Sequence, residues 1–205
     1  MASLSSNSSM KNIRPTTPHE FQRENSEGFS KVPIQIFLCG KGLPRKKKSR
    51  KRSSNSSSDL RIYLRSRLRK EVKRCEVWLG EHISLIRAYR RGLGGPGNLA
   101  DYEFALALRK DTDLVILFPS GPGSFAEIGM FCRNKPIALK MVVFVDRKLR
   151  GRRGFLMAGP YEAARIRRAQ IRYVNYADKE DIWKSVHSLV LEEKEKKRAR
   201  ELDVD

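Results

Sequence analysis

The residues best suited to chemistry stand together in the segment FPSGPGSFAEIGMF, between an apolar run and a predicted helix. This segment supplies five candidate site residues: Ser120, Gly121, Gly123, Ser124 and Glu127. Glycines let backbone N–H groups approach a ligand closely, and the two serines add hydroxyl donors. We expect the helix to start near Ser124, and the unpaired N–H groups of a helix start can bind phosphate without a basic side chain. The segment therefore predicts a nucleotide-binding site, with one carboxylate about one turn into the helix.

The carboxylate of Glu127 has two interpretations. In the first, SFAE is a capping box, in which Glu127 bonds back to the helix start beside Ser124. In the second, Glu127 is catalytic. Because two anions repel each other, an acid beside a phosphate loop is better placed against sugar hydroxyls or a reacting carbon. There it can act as a nucleophile or stabilise positive charge at the carbon of an N-glycosidic bond. Both interpretations remain open on spacing alone.

The surrounding elements predict an α/β fold. Apolar runs typical of strands alternate with helical stretches, and these runs lie at 34–42, 75–80, 114–118, 136–145 and 169–176. Strands that are apolar throughout are typical of a parallel sheet buried on both faces. We therefore expect a Rossmann-like parallel sheet of about five strands with helices on both faces. Ligands of such sheets bind beyond the carboxyl ends of the strands.

That rule selects further residues at strand ends. Gly40 and Gly42 follow the first strand and join the nucleotide-binding candidates. Glu81 follows the second strand and is either a second catalytic acid or a surface acid before a helix. Asp101 and Glu103 lie near the start of a predicted helix, where either could face the crevice. Because acids interact favourably with the helix dipole at this end, we expect capping there instead. A second acid facing the crevice would favour an enzyme, and an apolar wall opposite Glu127 would favour a non-catalytic binding protein.

The charge of the chain points to polyanionic partners. It has 43 Lys and Arg against 23 Asp and Glu, a formal net charge of +20, which favours nucleic acid. The densest part is a predicted mobile loop, residues 44–58, whose candidate nucleic-acid contacts are Arg45, Lys46, Lys47, Lys48, Arg50, Lys51 and Arg52. Alternatively, this loop is only solvated, and partners contact the helix that carries Arg61 or the RIRR stretch at 165–168.

Other features limit the classes of function. The three cysteines have no CxxC spacing and the three histidines are scattered, so we expect no disulfide framework, metal site or other cofactor. No apolar run reaches membrane-spanning length and the polar N-terminus lacks a signal core, so we expect a cytoplasmic protein without membrane contact. We expect a disordered or loosely docked arm (1–31), one nucleotide-binding domain (32–192) and a charged tail (193–205). An oligomer is compatible with this organisation.

GPGSFAEIGMF and the following NKP resemble the signature of nucleoside 2-deoxyribosyltransferases, in which G-[ST]-x-x-E-x-G precedes a K-P. They also resemble the P-G-G-x-G-T-x-x-E loop of the Lonely Guy nucleotide phosphoribohydrolases and the wider SLOG superfamily, from which Ser120 and Pro122 depart. The resemblance implies that Glu127 works at the glycosidic carbon. Arg61 and Arg109 are candidates for the arginine of the Lonely Guy type.

Across residues 34–145 the layout resembles retron St85-type effector proteins, through IFLCG, DLRIYLRSRL, VWLGEHI and ALALRKDTDLVILFPSGPGSFAEIGMF. This resemblance implies an antiphage toxin held by a reverse transcriptase with its DNA–RNA hybrid. Two hypotheses follow. The chain is an enzyme that hydrolyses an N-glycosidic bond of a nucleotide, nucleoside or dinucleotide. Alternatively, it is a non-catalytic nucleotide sensor or nucleic-acid-associated protein that uses the same cleft.

Overall fold

A computed structural model describes residues 31–40, 57–80, 98–152, 154–155 and 157–202. The strands are β1 (Ile34–Gly40), β2 (Cys75–Leu79), β3 (Leu114–Phe118), β4 (Met141–Asp146) and β5 (Gln170–Val174). The α-helices are α1 (Ser57–Glu71), α2 (Leu99–Leu108), α3 (Pro122–Cys132), α4 (Lys135–Leu139), α5 (Glu162–Ile166) and α6 (Lys179–Leu202). A 3₁₀ turn (Arg147–Leu149) follows β4, and a π-helical segment (Met157–Tyr161) leads into α5.

The five strands form one parallel sheet in the order β2-β1-β3-β4-β5, which confirms the predicted α/β fold. The chain moves outward from β1 to β2 and then returns to place β3 on the other side of β1. This reversal makes the space beyond β1 and β3 the switch point at which such sheets bind ligands. Gly40 and Phe118 are paired in register, so the carboxyl ends of the two strands lie side by side.

The sheet is covered on both faces because its strands are apolar on both faces. Leu114, Ile116 and Phe118 of β3 face a core shared with α1 and α6. Val115 and Leu117 face the other core, which contains residues of α2, α3, α4 and α5. Alternate residues of a strand point to opposite faces, so a continuous apolar run such as LVILF satisfies both layers.

Apolar residues recur at every fourth position along α1 and just beyond its end, and all four are buried: Leu60, Leu64, Leu68 and Val72. One other element differs from the sequence prediction. PIAL, expected within the fourth strand, is the short helix α4, which Asn134 caps by accepting from the Ile137 N–H at 3.2 Å. Pro136 fits there because proline suits the first turn of a helix.

The last helix, α6, extends to Leu202 and so includes most of the charged segment 193–205. Its lysines explain why it continues. Lys194 is buried and donates to the Lys73 carbonyl at 2.8 Å, while Lys197 pairs with Asp113 at 3.0 Å. These contacts tie α6 to the turn that follows α1 and to the residue that precedes β3. Among the helices of the described residues, none has both the length and the apolar character that a membrane crossing requires.

Candidate functional site

The crevice at the switch point begins at Gly40, the last residue of β1. Gly40 has φ +143°, and a Cβ placed there would lie 2.6 Å from the Phe118 carbonyl oxygen. Both the backbone conformation and the close approach of the two strand ends therefore require glycine. This steric role accounts for the glycine by itself, and contact between Gly40 and a nucleotide stays a prediction.

A buried cation lies against the same strand end. Arg61, early in α1, is 1% exposed and its Nη1 donates to the Gly40 carbonyl oxygen at 2.8 Å. Helix α1 runs from the carboxyl edge to the amino edge of the sheet, so its start carries Arg61 into the crevice. Arg109, the other candidate for the Lonely Guy arginine, pairs with Asp111 near the amino end of β3. The structure therefore brings Arg61, and not Arg109, to the crevice.

The glycine loop after β3 is organised by the Ser124 side chain. Ser124 is 2% exposed, and its hydroxyl accepts from the N–H groups of Ser120 (3.0 Å) and Gly121 (3.1 Å) and donates to the Gly121 carbonyl (2.8 Å). Helix α3 begins at Pro122, two residues before the predicted start. The hydroxyl is thus engaged within the loop, and what Ser124 can offer a ligand is its backbone N–H.

The first turn of α3 leaves the N–H groups of Gly123 and Ser124 without intrahelical partners, because Pro122 has no N–H and the first partner pair is Phe125 N to Gly121 O (3.2 Å). A Cβ built at Gly121 or Gly123 would have no described atom within 4 Å. Among the described residues, open space therefore borders the helix start.

The structure does not place Glu127 in the capping box that the spacing SFAE allows. Gly121 is the N-cap residue and Ser124 holds the third helical position, so Glu127 lies in the second turn. It is half-buried, and its Oε2 is shielded from solvent. Ser124, three residues earlier, and Phe131, four residues later, are both buried, so Glu127 lies on the flank of α3 that faces the protein.

A second acid lies at the same edge of the sheet, at the end of β2. The carboxylate of Glu103 packs directly on Gly80, where an added Cβ would be 2.0 Å from its Oε1. Asp101 instead has the capping role expected of it: its N–H donates to Asn98 Oδ1 at 3.0 Å, and its carboxylate accepts from Asn98 Nδ2 at 2.6 Å. The sequence placed both acids near a helix start, but it contained no signal that only Glu103 would reach over a strand end.

Tyr161, the last residue of the π-helical segment, is a site candidate that sequence reasoning missed. It is 4% exposed, and its hydroxyl has no hydrogen-bond partner among the described residues. Burial, and then the nearby Tyr173, raise the pKa of this hydroxyl. Its ring meets Phe125 of α3 edge-on, with centroids 5.8 Å apart. A π-turn has no clear sequence signature, although such turns are frequent at functional sites.

Tyr176, just beyond β5, holds the start of the glycine loop. Its hydroxyl lies 2.7 Å from the Phe144 carbonyl and 3.3 Å from the Pro119 carbonyl and donates to them. Burial raises the pKa of Tyr176, and the proximity of Tyr161 raises it further. Both tyrosines therefore lie close to the loop, and both are neutral donors at physiological pH.

Several predicted site residues lie outside the described residues: Gly42, Glu81, Arg45, Lys46, Lys47, Lys48, Arg50, Lys51 and Arg52. Their roles stay predictions. Within the described part of the chain, no group of three or more His, Cys, Asp or Glu side chains is arranged to hold a metal ion.

Fold and site together define a doubly wound α/β protein. The carboxyl edge of its sheet carries a glycine-bordered helix start, a buried arginine and, at two separate strand ends, a carboxylate. The family model for STM3845 retron effector protein matches residues 57–204, which is more than half of the chain. The chain belongs to this retron effector family.

Among curated proteins, the chain is similar to the "Retron Ec86 putative ribosyltransferase/DNA-binding protein" of Escherichia coli. The two are 34% identical over 73 residues, which cover 36% of this chain and 24% of that relative. The match therefore spans about a quarter of the relative's length.

Proposed function

We propose that this retron effector binds a nucleotide or nucleoside in the crevice beyond β1 and β3 and hydrolyses its N-glycosidic bond, with Glu127 as the catalytic carboxylate. The observation that carries the proposal is the position of Glu127. It is a half-buried acid in the second turn of α3, outside the capping box and beside a helix start bordered by open space.

Phosphate recognition would come from backbone donors and one fixed charge. The N–H groups of Gly123 and Ser124 point out of the start of α3, where the helix dipole favours an anion. Arg61 adds a guanidinium in a buried position, where a charge interacts more strongly than in water. Its bond to the Gly40 carbonyl fixes its orientation. A phosphate bound there leaves the sugar to extend toward the acids.

The chemical step breaks the bond between the anomeric carbon and the base nitrogen, and the bonding electron pair leaves with the base. The sugar becomes positively charged at the anomeric carbon, like an oxocarbenium ion, and the carboxylate of Glu127 stabilises that charge or adds to the carbon. Water then supplies hydroxide to the carbon and a proton to the departed base. No redox partner is needed.

Glu103 and Tyr161 would position the substrate. Glu103 extends over the end of β2, where its carboxylate can accept from sugar hydroxyls. A second acid at this edge is the feature that favours an enzyme over a sensor. The hydroxyl of Tyr161 is buried and has no described partner, which costs free energy unless a ligand or water satisfies it. We assign it to a ligand contact.

The experiment is to incubate the purified full-length chain with a panel of nucleotides, nucleosides and dinucleotides. Released base and ribose or ribose phosphate are measured by chromatography, and binding is measured by thermal shift on the same samples. Base release from at least one compound that binds supports the proposal. Binding without release would identify a nucleotide sensor, and no binding across the panel would place the function elsewhere.

The proposed superfamily, cellular location, role in defence and partners rest on resemblance. We propose that the domain of residues 32–192 is related to the SLOG and nucleoside 2-deoxyribosyltransferase superfamily, and that the effector acts in the cytoplasm in antiphage defence. Its proposed partners are a reverse transcriptase and that enzyme's DNA–RNA hybrid, contacted through the basic loop at 44–58. The retron family match and the name of the relative, a putative "ribosyltransferase/DNA-binding protein", support this assignment.

A further inference from the structure

A second concave surface lies at the opposite end of the sheet from the crevice. It is a cleft of about 710 Å³ where the beginnings of β1 and β2 meet the end of α1. We call it the amino-edge groove and define it by its cationic residues Arg69, Lys70, Lys73 and Arg74. Because α1 crosses the whole sheet, the helix that begins near the crevice with Arg61 ends at the far edge, where its last turn carries Arg69 and Lys70 and the turn after it carries Lys73 and Arg74.

None of these four cations has an ion pair with a described carboxylate. The two guanidiniums are instead anchored to backbone oxygens: Arg69 Nη2 donates to the Val77 carbonyl at 3.2 Å, and Arg74 Nη1 donates to the Lys31 carbonyl at 2.7 Å. A guanidinium has five N–H donors, so each keeps donors for a ligand while its orientation is restricted. Lys70 and Lys73 are exposed.

The acids that line the groove do not cancel this charge. Asp113 is paired with Lys197 at 3.0 Å. Asp111 is held by Arg109, whose hydrogen bonds lower the pKa of the Asp111 carboxyl. Two of the three acids that line the groove are therefore neutralised by cations other than the four that define it. The third lining acid is Glu76. The groove keeps an excess of positive charge.

Arg74 also has an unusual backbone conformation. Arg74 has φ +53°, a left-handed conformation that glycine adopts at little cost and other residues adopt uncommonly. Arg74 nevertheless occupies this position, and its side chain lines the groove.

We propose that the amino-edge groove binds the phosphate backbone of a single-stranded nucleic acid. Protein–nucleic acid interfaces are more polar and far more positive than protein–protein interfaces, and protein partners usually need buried aromatic or aliphatic anchors. Of the apolar residues that line this groove, Ile34 and Val72 are buried in the core, Cys75 is partly buried and packs against the core, and Pro33 is exposed. The lining therefore has no exposed aromatic or large aliphatic side chain. Fixed guanidiniums with spare donors suit phosphate oxygens.

This placement has a functional consequence. The groove lies across the sheet from the nucleotide crevice, so a strand bound there leaves the crevice accessible. Nucleic acid and a small nucleotide can then occupy the effector at the same time, and the inference holds whether or not the crevice is catalytic.

The experiment measures the affinity of the full chain for a labelled single-stranded DNA oligonucleotide over a series of salt concentrations. The test variant is Lys70→Gln/Lys73→Gln, and the matched control is Lys135→Gln/Lys148→Gln, which removes the same charge from two lysines that are also exposed. Each lost phosphate contact lowers the salt slope by about 0.7 on a single strand. The test variant should therefore lose about 1.4 units of slope, and the control should retain the parental slope.

Circular dichroism and melting temperature verify that both variants are folded, and the glutamines replace exposed side chains that make no described hydrogen bond. Equal slopes for the test and control variants would overturn the proposal. A second arm uses poly-glutamate. If the parent binds poly-glutamate and only the test variant loses it, while DNA affinity is unchanged, the groove serves an acidic protein partner and the proposal fails.

Discussion

Replacing Gly123 with alanine tests whether glycine is required at this position by a bound ligand or by the fold. Gly123 lies in the first turn of α3 and does not have a positive φ. A Cβ there would meet no described atom within 4 Å. Nothing in the described structure therefore requires glycine at this position. Gly129, in the same helix, also lacks a positive φ, and a Cβ built there would also meet no described atom within 4 Å. It lies on an outer groove with Phe104 and Met130.

The expected magnitudes follow from this geometry. Gly→Ala at a compatible position stabilises a protein by about 0.4–1 kcal/mol, chiefly by restricting the unfolded chain. For a chain of this size, 1 kcal/mol corresponds to about 2–4 °C in melting temperature. Both Gly123→Ala and Gly129→Ala should gain this stability. Only Gly123→Ala adds a methyl group beside the N–H groups proposed to hold phosphate, and we expect it to lose at least about tenfold in nucleotide affinity, or 1.4 kcal/mol.

The assay is thermal unfolding of parent and both variants, with and without a nucleotide that binds the parent. In the absence of nucleotide, both variants should melt above the parent. The rise in melting temperature that the nucleotide causes should be smaller for Gly123→Ala than for the parent, and it should equal the parental value for Gly129→Ala. Parental nucleotide affinity in a stabilised Gly123→Ala protein would refute the assignment of the phosphate to the start of α3.

Three further perturbations have definite expected results. Gly40→Ala should lower the free energy of unfolding by about 1–3 kcal/mol, because the position has φ +143° and a Cβ would lie 2.6 Å from a carbonyl oxygen; a loss below about 0.5 kcal/mol in urea denaturation would contradict this packing. Tyr161→Phe should raise the stability of the ligand-free protein, since it removes a buried hydroxyl with no described partner, and should weaken nucleotide binding; a less stable variant that binds normally would show that the hydroxyl is structural. Burial raises the pKa of the Cys75 thiol from 9.0 to about 11, so the folded state keeps this proton at pH values where the unfolded state has lost it. The parent should therefore lose about 2 kcal/mol of stability between pH 8 and pH 10.5 that Cys75→Ala does not lose; equal pH dependence in urea denaturation would show that this thiol titrates normally.

The sheet could be predicted from the sequence because its strands are continuous apolar runs. LVILF is buried on both faces, and such a run is stable only in the middle of a covered sheet. PIAL was misassigned for the same reason. Its apolar character suits a strand as well as a short buried helix, and Asn134 and Pro136 decided in favour of the helix.

The candidate site was chosen from residue types, and its role as a functional site stays a prediction. The glycine loop and its acid stood out because glycines, hydroxyls and one carboxylate lie together between a predicted strand and a predicted helix. The start of α3 depends on the hydrogen bonds of the Ser124 hydroxyl, which residue spacing does not reveal. The burial of Arg61 and the reach of Glu103 over Gly80 depend on how α1 and α2 pack on the sheet, and both residues otherwise look like exposed helix charges.

The most direct test of the central claim is single-turnover base release by Glu127→Gln, on whichever nucleotide the parent hydrolyses. The substitution removes the negative charge and keeps the shape of a residue that is not part of the capping box. We expect release to slow by at least about a hundredfold, with nucleotide binding and melting temperature close to those of the parent. A folded Glu127→Gln protein that releases base at the parental rate would contradict the account.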